Sequence, residues 1–208
     1  MTRPRPLVPD DTLLPPRFAA WFAGRGWAAR PHQLEMVEAA RDGAHVLLTA
    51  PTGGGKTLAG FLPSLIALAE PRPPAPGEQD TRRNALSTEA WKPFLKRSIH
   101  TLYISPLKAL AVDIARNLEM PVAEMGLGIR IETRTGDTSA SKRQRQKIDP
   151  PDILLTTPEQ LALLLASREA ASLFRGLDTV VLDELHALVA NKRGDLLGLD
   201  LARLARLA

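Results

Sequence analysis

The sequence contains no cysteine. Disulfides, thiolate zinc sites and iron–sulfur clusters are thereby excluded as sources of stability or chemistry. The absence fits a reducing cytoplasm, which is the expected location. Aromatic residues are scarce, at 4% of 208 residues, so the core is expected to be mostly aliphatic. Long apolar runs are missing as well. None approaches the roughly eighteen residues needed to cross a bilayer, and the proline-broken first ten residues lack the apolar stretch of a secretory signal. A soluble intracellular chain with no membrane partner is expected. The remaining balance, 44% hydrophobic and 24% charged, is that of an ordinary globular domain with a real core. A net charge of +4 is compatible with a polyanionic partner but too small to argue for one alone.

No internal repeat is visible. Residues 1–16 are rich in proline and read as an irregular arm, followed by short helices around 17–23 and 32–41, with Gly43 suited to the end of the second. Residues 45–50 form a short apolar run bounded by turn residues and read as a buried strand. A Gly-rich turn and a helix over 56–69 follow, and Pro63 predicts a kink or early break in that helix. The pattern dissolves over 70–98, a proline-rich surface insertion. Beyond it, strand candidates at 100–105, 129–133, 152–156 and 179–183 alternate with helical candidates at 107–124, 139–147 and 159–166. A final amphipathic helix covers 196–207. Such alternation predicts an α/β fold, a parallel sheet flanked by helices, with its ligands at the carboxyl ends of the strands.

Ala50-Pro-Thr-Gly-Gly-Gly-Lys-Thr57 lies between a strand and a helix candidate. Glycines allow backbone N–H groups to turn inward around a phosphate, and the following helix adds its positive end. Thr52, Gly53, Gly54, Gly55, Lys56 and Thr57 are the candidate nucleotide ligands. Lys56 would reach the terminal phosphates, and Thr57 would hold Mg²⁺ through its hydroxyl. The bland alternative is a Gly-rich turn followed by a chance Lys-Thr.

In Val180-Val-Leu-Asp-Glu-Leu-His186 an apolar strand delivers two adjacent carboxylates to its carboxyl end. Asp183 is the second candidate Mg²⁺ ligand, acting through water. Glu184 would orient and deprotonate the water that attacks the γ-phosphate of ATP. His186 is either part of this catalytic group or a hydrogen-bonded interior histidine. Together the two motifs predict an ATPase site.

Ala-x-Thr-Gly-x-Gly-Lys-Thr followed by Asp-Glu-x-His resembles the DExH-box helicases of superfamily 2. Ile104-Ser-Pro-Leu-Lys-Ala-Leu110 resembles their motif Ia, Arg134-Thr-Gly-Asp-Thr138 motif Ib, and Thr156-Thr-Pro-Glu-Gln160 motif Ic. With the downstream Lys192-Arg-Gly194, the wording is similar to the large helicase-related (Lhr-like) group, and most of all to the ligase-associated DEXH-box helicases of bacteria. The resemblance implies an N-terminal arm and helices with the adenine-recognition motif at 1–43 and a RecA-like P-loop helicase domain at 44–208, incomplete at its C-terminus and interrupted by the 70–98 insertion. It implies an ATP-dependent motor moving 3′ to 5′ on single-stranded DNA, with a functional link to a DNA ligase and nuclease in repair. Carried over, Pro106, Lys108, Arg134, Gly136, Asp137, Thr138 and Thr157 are the candidate nucleic-acid contacts. Basic side chains, hydroxyls and loop amides suit a phosphate backbone, although Pro106 is better suited to shaping its loop. Thr-Pro and Gly-Asp are also common turn chemistry.

Trp27-Ala-Ala-Arg-Pro-His-Gln33 resembles the family's adenine-recognition motif. Gln33 would bind the adenine edge through its amide, Arg30 would assist and Trp27 would stack, unless Trp27 is simply buried and Gln33 solvated. Ser141-Lys-Arg-Gln-Arg-Gln-Lys147 is either a DNA-facing basic stretch or a solvated helix face, the commoner meaning. No Ser/Thr-Ala-Thr motif and no second motor domain follow before Ala208. The expectation is therefore a truncated first motor domain, lacking the arginine fingers that the family's second domain supplies. A nucleotide- or DNA-binding module without turnover, and a DExH motor working on RNA, are the competing readings.

Overall fold

The computed structural model describes residues 13–51, 53–70, 98–189 and 191–207. Thr52, the arm before residue 13 and residues 71–97 of the expected insertion lie outside the described residues. The chain divides into two units, the first comprising Met1–Ala69 and Arg116–Gly128, the second Glu70–Ala115 and Ile129–Ala208.

The first unit contains α1 (Pro16–Gly24), α2 (Pro31–Arg41), α3 (Lys56–Ala69) and the second half of α4 (Lys108–Glu124). Helices α1 and α2 each begin on proline at the first helical position, where the missing N–H costs nothing. Phe18 and Phe22, one turn apart on α1, are both buried. Gly43 ends α2 as expected, in the left-handed conformation at φ 68°. Helix α3 packs against α2 and continues through Pro63 to Ala69, so the early break does not occur. Burial of Phe61, Leu62, Leu65 and Ile66 on both sides of the proline outweighs its missing hydrogen bond. Glu124 on α4 accepts hydrogen bonds from Trp21 Nε1 at 2.8 Å and from the Arg25 guanidinium. The Arg25 and Trp21 bonds hold the Glu124 carboxyl below its usual range.

Residues 45–50 are not a strand. Val46 is 47% and Leu47 77% exposed. A strand is stable only in a ladder, and no described residue pairs with this run. The expectation from apolar composition alone is corrected.

The second unit is built on a parallel sheet of β1 (Thr101–Ile104), β2 (Ile131–Arg134), β3 (Ile153–Thr156) and β4 (Thr179–Leu182), in the order β2-β3-β1-β4. Every residue of β1 and β3 is buried, the pattern of central strands covered on both faces. The helices are the first half of α4, then α5 (Ala140–Ile148), α6 (Pro158–Leu165), α7 (Ala170–Phe174) and α8 (Lys192–Leu204). Leu102, Ile104 and Leu154 of the sheet form one cluster with Leu161, Leu164, Phe174, Leu197 and Leu204 of α6, α7 and α8. Fully burying a leucine contributes about 1.5–3 kcal/mol, so this aliphatic cluster offsets the shortage of aromatics. The α7 turn escapes a periodicity reading because it is only five residues long. Helix α8 begins four residues before the expected 196, because Asn191 caps it by accepting from the backbone N–H groups of Arg193 and Gly194.

Asp200 on the inner side of α8 is 1% exposed, with one carboxylate oxygen lacking a hydrogen-bond partner. Burial raises its pKa, and the charge of Arg203 only partly opposes this. A carboxyl whose folded pKa is raised loses stability as pH climbs through the unfolded value, near 3.9, and stays penalised above the folded one. Asp200→Asn should therefore raise stability by about 1 kcal/mol at neutral pH. The gain should vanish below about pH 4. Thermal denaturation of both proteins across pH would show it, and a constant difference at every pH would contradict the assignment.

Candidate functional site

The strand register brings four of the sequence motifs to one edge of the sheet. Ile104 lies opposite Thr156 and Leu182, and Thr156 lies opposite Arg134. The chain therefore leaves the sheet at Ser105, Thr135, Thr157 and Asp183 at the same level, on the carboxyl side where such sheets hold ligands.

The acidic corner follows β4. Asp183 extends the ladder, its N–H donating to the Ile104 carbonyl at 3.0 Å. One carboxylate oxygen accepts from the Tyr103 hydroxyl at 2.7 Å, the other from the Glu184 N–H at 2.8 Å. Each oxygen retains a second lone pair, so the carboxylate is oriented and still able to bind a hydrated Mg²⁺. Tyr103 is fully buried within β1, and burial first, then the Asp183 bond, pushes its pKa far above the ordinary phenol value. It is the sequence's single tyrosine and the site residue that motif reading missed. Only the pairing of β1 with β4, 80 positions apart in sequence, brings it to Asp183.

Glu184 adopts φ 50°, ψ 42°, the one positive-φ residue other than glycine among the described residues. That conformation costs on the order of 1–3 kcal/mol and characteristically persists at functional positions. It turns the chain into a short 3₁₀ helix, Leu185–Ala187. His186 is 81% exposed at its side chain, with Nδ1 3.4 Å from the Glu184 carboxylate. It is therefore not an interior histidine.

The phosphate loop belongs to the first unit. Gly53 and Gly55 both have φ 76°. A Cβ on Gly54 would lie 2.8 Å from the Pro51 carbonyl oxygen, and one on Gly55 2.9 Å from Gln33 Nε2. The loop thus needs its glycines for conformation and for space. Lys56 opens α3 and donates to the Ala50 carbonyl at 2.7 Å, while Thr57 sits half-buried on the first turn. The adenine-motif residues come to the same loop. Gln33 is buried, accepts from the Arg30 N–H at 2.9 Å and donates to the Gly55 carbonyl at 3.4 Å. Exposed Arg30 has its side chain beside Gly55. Trp27 is half-exposed, edge-on to Trp21, with the Arg25 guanidinium 5.0 Å from its ring centre. One side of its ring is already engaged.

The seven candidate nucleic-acid contacts separate by burial. Lys108, Gly136 and Asp137 are exposed and Thr138 is half-buried. Lys108 and Asp137 form a 2.7 Å ion pair beside an open cleft of about 490 Å³ that Thr138 and Lys142 also line. Pro106, Arg134 and Thr157 are buried. Arg134, at 4% exposure, donates to the Arg143 carbonyl and to Gln146 Oε1, so its side chain secures α5 and does not face outward. Arg143 in turn donates to the Thr135 and Gly136 carbonyls, and the Thr138 hydroxyl accepts from the Thr135 N–H. In the basic run, Arg143 therefore shapes the turn after β2. Arg145 pairs with Glu132 and Lys147 with Glu169. Lys142 is left at the cleft.

The chain is similar to known helicases. A DEAD/DEAH box helicase family model matches residues 30–207. The chain is 40% identical to the "Lhr helicase/uracil glycosylase" of Escherichia coli, an alignment covering 97% of this chain and 13% of that protein. It is 38% identical to an "ATP-dependent helicase Lhr-Core" of Methanocaldococcus jannaschii, covering 90% and 21%. Among solved structures, the Mycobacterium smegmatis helicase Lhr bound to ssDNA and AMP-PNP superposes with a TM-score of 0.77 at 35% identity, over 93% of this chain and 23% of that one. The DEAD-box helicase Mss116, at 20% identity and a TM-score of 0.72, shares the fold. The chain spans between about an eighth and a quarter of the lengths of these Lhr-type proteins. Its parallel sheet flanked by helices is that of a RecA-like motor domain, and the chain belongs to the DEAD/DEAH box helicase family.

Proposed function

We propose that this chain is the ATP-binding part of an Lhr-like motor that works on single-stranded DNA. The observation that carries the reading is the alignment of four motifs at one sheet edge, the acidic corner and the three turns that carry the candidate nucleic-acid contacts. Lys56 holds the terminal phosphates, and Glu184 takes the proton of the attacking water. Thr57 and Asp183 are the residues that would hold Mg²⁺, which supplies charge neutralisation on the phosphates. Gln33 and Arg30 are the adenine-side contacts, with Trp27 flanking them. Lys108 and Thr138 present their side chains, and Gly136 and Asp137 their backbone amides, to the DNA phosphates. Pro106, Arg134 and Thr157 act from beneath, by holding those turns. Such contacts position a strand without reading its bases. The 3′ to 5′ direction and a role in repair beside a ligase and nuclease follow from the family resemblance and belong to the same proposal, as does a cytoplasmic location.

The test is phosphate release with and without single-stranded DNA, repeated with RNA. With a second motor domain supplied, turnover stimulated by DNA and abolished by Glu184→Gln is expected, whereas this chain by itself should turn over little ATP or none. Stimulation by RNA alone would replace the DNA assignment. Nucleotide binding with no turnover would mark a binding module, and no nucleotide binding at all would overturn both.

A further inference from the structure

Lys192-Arg-Gly194 has no role in the scheme above, yet Arg193 occupies a junction. Its Nε donates to one oxygen of Glu159 at 2.6 Å, and its Nη2 donates to the other oxygen at 3.2 Å and to the Pro106 carbonyl at 2.8 Å. Pro106 ends the turn after β1, two residues before Lys108. Glu159 stands on the first turn of α6, two residues after Thr157. The Arg193 N–H is itself held by Asn191 Oδ1 at 3.0 Å, and Asn191 Nδ2 donates to the Ala187 carbonyl at 2.7 Å. Ala187 closes the 3₁₀ turn that starts at Glu184. One guanidinium therefore fastens the turn after β1 and the head of α6 to the segment issuing from the acidic corner. Burial works to raise the Glu159 pKa, but the bonds from Arg193, its own backbone and Thr157 outweigh it and hold the carboxyl ionised.

We infer that Arg193 is a positioning residue for nucleic-acid binding, holding the turns that carry Lys108 and Thr157 in fixed register with the acidic corner. The inference rests on the proposed DNA-binding function. A planar fork is required, because an ammonium cannot meet both carboxylate oxygens and the Pro106 carbonyl with fixed directions. The exposed Arg193–Glu159 pair, with side chains 40% and 48% accessible, contributes little to global stability. Its geometry is what the binding face would use.

Anisotropy of a labelled single-stranded oligothymidylate, over a salt series, tests this with Arg193→Lys and Glu159→Gln. Removing a negative charge beside a polyanion ought to tighten binding if only charge mattered. Positioning by the fork predicts the opposite sign. Glu159→Gln and Arg193→Lys should each weaken binding roughly threefold or more, with the salt slope and melting temperature nearly unchanged. Tighter binding by Glu159→Gln together with wild-type binding by Arg193→Lys would make Arg193 a plain charge and overturn the inference. Equal losses of affinity and melting temperature in both variants would reduce it to scaffolding and overturn it too. A wild-type chain that binds no oligonucleotide overturns the proposed function, and this inference with it.

Discussion

Gly194→Ala should lower stability by about 3 kcal/mol, seen as a fall in melting temperature of roughly 6–12 °C for a chain of this size. A Cβ at position 194 would overlap the Leu188 carbonyl oxygen and lie 2.9 Å from its carbon. Both are backbone atoms, so no side-chain rotation relieves the clash. Leu188 is 1% exposed and its N–H is bonded to the Leu185 carbonyl, so it cannot retreat without disturbing the turn after Glu184. The Gly194 N–H is meanwhile fixed by the Asn191 carbonyl at 2.8 Å and by Asn191 Oδ1 at 3.3 Å. The start of α8 would have to move, carrying Arg193 off Glu159 and Pro106. Thermal denaturation followed by circular dichroism measures the effect, and a melting temperature within two degrees of wild type, a margin of under about 1 kcal/mol, would refute this account of Lys192-Arg-Gly194.

Lys56→Ala should weaken binding of a fluorescent ATP analogue by roughly tenfold to a hundredfold, the worth of a hydrogen bond to a charged group. Lys56 stands at the first position of α3, where the helix end adds to its own charge. Its ammonium bonds the Ala50 carbonyl at an exposed position. Loss of that contact should leave the melting temperature nearly unchanged. Unaltered analogue affinity would remove the phosphate-loop assignment, and with it the proposed ATPase.

The motifs were legible because their chemistry is local. The helix start at Lys56 and the carboxylates following an apolar strand each depend on a few neighbouring residues. Residues 45–50 show where local reasoning stops. Composition marks an apolar run, but only a hydrogen-bonding neighbour makes a strand. Pro63 is the reverse case, where burial along α3 overrides a local helix breaker. Arg134 shows the same limit within a motif. Its spacing resembles a nucleic-acid contact, while its position as the last residue of β2 turns the side chain inward.

The sequence by itself determined the family and the α/β alternation and supplied the candidates for phosphate, metal and water activation, since these follow from backbone propensity and the chemistry of side chains at short spacing. Only the tertiary structure decided which of those residues face outward, and which residues distant in sequence support them. Tyr103 reaches Asp183, and Arg193 reaches Glu159 and Pro106, through the β2-β3-β1-β4 order and the return of α8 over α6. Those contacts depend on strand pairing and helix packing between segments far apart in the chain, which a local pattern does not encode.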